Sequence, residues 1–86
     1  MATTMDYLDQ FLDPIREAFT PAVARKIADL RADKALQARV DELASKANEG
    51  RLTAEEDAEY KSYIEAAGIV GVLQAKARRF LADHPS

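Results

Sequence analysis

Apolar side chains recur along this chain at the three- and four-residue spacing of amphipathic helices. Met5, Leu8, Leu12, Ile15 and Phe19 keep that spacing, Phe11 flanks the stripe, and Asp6, Asp9, Asp13 and Glu17 point away from it. The spacing predicts a helix over about 4–19 that is either kinked at Pro14 or, the favoured reading, broken there into two segments on one line, with Asp13 as N-cap of the new turn and proline at its first position. In TPAVARKIADLRAD the start signal returns as Thr20 and Pro21, and Val23, Ile27 and Leu30 share a face. A second helix is thus predicted over 21–31. Asp33 is the candidate cap of a third helix over 34–48, with Leu36, Val40, Leu43 and Ala47 as its stripe. Lys34, Arg39, Asp41, Glu42 and Lys46 are expected to face water, and the pattern leaves open whether helices two and three are continuous.

The stretch ANEGRLTAEEDAEY carries the sharpest local signal. Gly50 suits the left-handed position beyond a helix C-terminus, and Thr53 with Glu56 makes a capping box for the next helix. Glu55, Glu56 and Asp57 then fall in the first turn, where the helix dipole favours negative charge. From there no breaker stronger than glycine appears before Pro85, which predicts a last helix over 54–82, roughly 40 Å long at 1.5 Å per residue. Helix three is about half that length. It is expected to pair, antiparallel, with the part around Tyr60, Tyr63, Ile64 and Ala67, the two tyrosines shielding that contact. The part from Gly68 on overhangs, apolar round most of its circumference, and the N-terminal helices are expected to pack on it. Gly68 and Gly71 there predict close approach of another helix or a bend, because glycine costs about 1 kcal/mol against alanine in a helix interior.

The expected fold is therefore all-α: a small helical bundle, one domain over 1–86, with a long C-terminal helix forming an antiparallel hairpin with the helix before it. At 86 residues the core is modest, and self-association is an expected aid to stability. With no tryptophan and six other aromatic residues, that core must be mostly Leu, Ile, Val and Ala. Residues 1–20 hold four acids and one base, and residues 72–86 three bases and one acid, an opposition that suits antiparallel packing of the two ends. The net charge of −3 argues against a protein built to coat phosphates. The acidic N-terminus does not read as an export signal, and the apolar run at 66–73 is too short to span a bilayer. The absence of cysteine excludes disulfides, thiolate metal sites and cysteine nucleophiles, and the cytoplasm is the expected compartment.

Candidate chemistry is sparse. Glu55, Glu56, Asp57 and Glu59 lack the ligand spacing of a calcium loop, no Glu-x-x-His pair suggests a di-iron site, and the cluster reads as a solvated helix start. His84 is the only histidine, and no serine has a histidine within helical reach, so no catalytic residue, metal or cofactor is expected and the chain reads as a non-enzyme. Lys76, Arg78 and Arg79 form a candidate basic patch, but cations near a helix C-terminus also complement its dipole, and nucleic acid is not the expected partner. The stronger candidate is apolar. Ile69, Val70, Val72, Leu73 and Phe80 form a surplus face that predicts a protein partner or a second copy of the chain.

Residues 35–81 resemble a family of small uncharacterised bacterial all-helical proteins, through the A-N-E-G turn, the L-T-x-E-E restart and the closing L-Q-A-K-A-R helix. Lys34 stands where that family's pattern expects proline. Genes of the family often neighbour genes for HNH-type endonucleases, so the resemblance implies an antitoxin-like or accessory role beside such a nuclease, and it implies no functional residues. The leading expectation is a protein-protein interaction module. A homodimeric structural protein and a nucleic-acid accessory protein acting through the basic patch are the alternatives.

Overall fold

The computed structural model describes residues 1–84, and every regular element in them is helical: α1 Thr4–Leu12, a 3-10 segment Asp13–Ala18, α2 Pro21–Ala28, α3 Lys34–Asn48 and α4 Ala54–Asp83. The all-α class and the long C-terminal helix are as the periodicity predicts. Pro85, the expected breaker, lies outside the described residues. Helices α2 and α3 are separate, with residues 29–33 non-helical between them.

Side-chain caps set most of these boundaries. The Thr20 hydroxyl accepts from the Val23 N–H at 3.2 Å, and the Asp33 carboxylate from the Leu36 N–H at 2.8 Å. At the start of α4, Thr53 Oγ1 accepts from the Glu56 N–H at 3.1 Å while Glu56 Oε1 accepts from the Thr53 N–H at 3.0 Å, the expected capping box. Thr3 and Asp6 make a second such box on α1, at 3.3 and 2.8 Å. The break before Pro14 is real, but Asp13 does not cap it. An N-cap residue needs extended backbone, whereas Asp13 continues α1 at φ −53°, ψ −42° and turns its carboxylate to Lys76 and Arg16. Beyond α1 the chain tightens into the 3-10 segment, which ends at extended Phe19, φ −74°, ψ 137°.

The chain divides into two compact units, Arg31–Ala67, and Met1–Leu30 with the described part of Gly68–Ser86. The first is a helical hairpin. α3 closes with Gly50 at φ +67°, the Gly50 N–H donating to the Ala47 carbonyl and the Arg51 N–H to that of Lys46. This is the Schellman pattern, which occupies carbonyls the helix end would leave unpaired. Lys46 then pairs with Glu56 at 2.6 Å and Arg39 with Glu59 through two bonds of 2.7 and 2.8 Å, so α3 and the first part of α4 run antiparallel. Arg39 and Lys46, expected to face water, instead reach across to α4, because glutamates stand opposite them in this register. Leu43 is the fully buried side chain of the hairpin, with Val40, Ala47, Tyr60 and Tyr63 half-buried around it.

The second unit packs α1, the 3-10 segment and α2 on α4 from Gly68 onward. Its boundary falls where the lengths of α3 and α4 predict that the hairpin partner runs out. Met5 lies against Gly68, Asp9 and Asp13 meet Lys76, and Phe19 meets Phe80 edge to face at 5.7 Å. Positions therefore advance together, and α1 runs parallel to α4, not antiparallel. The charge opposition is still satisfied, since an ion pair requires the carboxylates at the height of Lys76 and not a direction of approach. After Phe19 the chain turns back: the Gln74 amide donates to the carbonyls of Ile27, Ala28 and Leu30 at 3.2, 3.3 and 2.9 Å, holding the C-terminal end of α2. Phe19, Ala24 and Ala77 are the buried core, and Ile27, Ala28, Phe80 and Leu81 pack around them.

Candidate interaction surface

On α4, Gly68, Val72 and Lys76 are spaced by four and form one row along the helix. Its two ends face α1. At Gly68 an added Cβ would lie 3.2 Å from the Met5 methyl, so the predicted close approach occurs there. At Gly71 it does not, since nothing lies within 4 Å.

Lys76 corrects the candidate basic patch. Only 3% exposed, it is tied to Asp9 at 2.8 Å and Asp13 at 3.2 Å and presents no charge to solvent. Arg78 and Arg79 remain exposed. The Lys76 hydrogen bond is also the main reason the Asp13 carboxyl sits below its ordinary range. No local signal marks this burial, because it depends on the distant carboxylates of Asp9 and Asp13.

The five predicted interface residues separate into three groups. Ile69 and Val70 are exposed, at 39% and 36%. Val72 and Leu73 are half-buried. Phe80 belongs to the unit's own core, between Phe19 and His84, whose ring stacks on it at 4.3 Å with Nδ1 3.0 Å from the Phe80 carbonyl. The same unit exposes apolar side chains that periodicity assigned to the N-terminal stripe or its flank: Phe11 at 82%, Ile15 at 40%, with Tyr7 at 55% one turn before Phe11. Val23 and Leu30, expected on the inner face of the second helix, are also about half exposed.

In the hairpin unit, Ala47, Leu52, Tyr60 and Ile64 line a shallow open groove beside Gly50, with the Asp57–Lys61 ion pair of 2.8 Å along it. Of the three predicted caps, Gly50 closes α3 and Thr53 opens α4. Glu56 adds an ion pair: the Lys46 hydrogen bond first, and the Thr53 N–H second, hold its carboxyl down at about 2. Among the described residues no group of three or more His, Asp or Glu side chains is placed to hold a metal ion, and no helix is long and apolar enough to cross a membrane. Comparison with protein-family models, with curated proteins and with solved structures finds no match to this chain.

Proposed function

We propose that the chain is a non-enzymatic protein-interaction module that binds its partner through the apolar surface of the unit built on the second part of α4. One observation carries this reading. The unit buries only Phe19, Ala24 and Ala77 as its apolar core, yet leaves Tyr7, Phe11, Ile15, Ile69 and Val70 open to water. Exposed aromatic and branched aliphatic side chains in that number are what a docking surface requires, and tyrosine and phenylalanine are frequent anchors of such surfaces. The absence of cysteine is consistent with a reducing compartment such as the cytoplasm. An antitoxin-like or accessory role beside a nuclease is the specific form suggested by the resemblance at residues 35–81. The nucleic-acid alternative loses support, because one of its three cations is buried.

Ile69 and Val70 are the positions to change, because both face solvent and glutamate there need not disturb the core. A tagged chain is used to capture proteins from the native host, beside an Ile69→Glu/Val70→Glu variant of unchanged helical content. Enrichment of one protein that the variant loses is the expected result. Equal capture by both chains, or capture of nothing but further copies of the bait, removes the partner-binding reading.

A further inference from the structure

The segment Thr4–Ala18 contributes no buried residue to its unit. Met5, Leu8, Leu12 and Arg16 are half-covered, and Phe11 faces water. Besides this partial cover, the segment meets α4 through the Met5 thioether over Gly68 and the carboxylates of Asp9 and Asp13 on Lys76. A buried ion pair is a weak clamp, since withdrawing the ammonium from water offsets most of the attraction. Here the imbalance is specific. The aspartate side chains are 55% and 57% exposed and stay solvated docked or free, so release mainly returns Lys76 to water.

α2 is held differently. It buries Ala24 completely, packs with Phe19, Ala77 and Phe80, and has the carbonyls of Ile27 and Ala28 on the Gln74 amide. Between the two lies extended Phe19, where the helical path is already interrupted. We infer that residues 4–18 are a releasable strap, which leaves α4 as a unit while α2 stays docked and uncovers the row of Gly68, Val72 and Lys76. Segments with few buried apolar contacts open at free energies below that of global unfolding. Release adds Val72 to the face of Ile69 and Val70 on α4 and carries Tyr7, Phe11 and Ile15 away with the strap, so it remodels the exposed apolar surface. That consequence regulates the proposed interaction surface and rests on that reading; the release itself does not, and the test uses no partner.

The test combines amide hydrogen exchange with acylation of lysine amines, both read by mass spectrometry on the full chain. Amides from Tyr7 to Ala18 are expected to exchange at least tenfold faster than those of Ala24–Ala28. Lys76 is expected to acylate more slowly than exposed Lys26 and Lys34 but faster than the Ala24 amide opens. An Asp9→Asn/Asp13→Asn variant should raise the Lys76 rate further while Ala24 keeps its protection. Equal protection in the two segments overturns the proposal, as does fast exchange in 7–18 with Lys76 unmodified, which is fraying without release. Loss of Ala24 protection together with the strap in the variant also overturns it.

Discussion

Phe11 and Phe19 show how far a residue's role departs from its type. Both are aromatic and both lie in the N-terminal stripe or beside it, but one is 82% exposed and the other 8%. Phe19→Ala should cost about 3–5 kcal/mol in urea denaturation, as removing a core aromatic does, whereas Phe11→Ala should stay within about 0.5 kcal/mol. The two helix glycines divide in the same way. Gly71→Ala meets open space and should stabilise by up to about 1 kcal/mol, measured by the same melts. Gly68→Ala should gain less, since the Met5 methyl must move first. Gly50 could be read from sequence because a helix end demands a left-handed residue. Lys76 could not, because its burial depends on carboxylates that stand 63 and 67 positions earlier in the chain.

Elements were the most legible level. The α2, α3 and α4 starts at Pro21, Lys34 and Ala54 each come from a capping side chain one residue earlier, a signal that needs no tertiary information. The Thr3–Asp6 box was equally local, and a threonine with an acid three positions on would have marked it. The 3-10 character after Leu12 was not legible, since proline announces a break but not the form of the next turn. Ion pairing across the hairpin predicts its behaviour in acid. Glu56 is held at about 2 against an ordinary 4.5 by Lys46 and the Thr53 N–H, and Arg39 lowers Glu59 in the same direction. A depressed carboxyl stabilises fully above its unfolded value and loses that contribution as pH falls through its folded one. Stability should therefore hold from neutrality to about pH 4.5 and decline between there and about pH 2, monitored by circular dichroism. Glu56→Gln preserves the capping acceptor but not the charge, so it should be less stable at pH 7 and show a shallower decline.

At the scale of the whole chain, periodicity foresaw that α3 would run out near Ala67 and that the N-terminal helices would pack on the rest of α4. It did not foresee direction. Charge totals for the two ends are the same for parallel and antiparallel packing, and the heights of Met5, Asp13 and Phe19 along α4 decide between them. The surplus apolar face was also only half legible, because a helix apolar on most sides does not say which side its own chain will cover. One unit is continuous in sequence and the other is not, and this bears on the order in which they fold. α1 and α2 pack on residues 68–84 across an insertion that folds on itself. Closing such a loop carries an entropic cost that the hairpin avoids. The hairpin is therefore expected to form first on refolding, with the discontinuous unit closing after it.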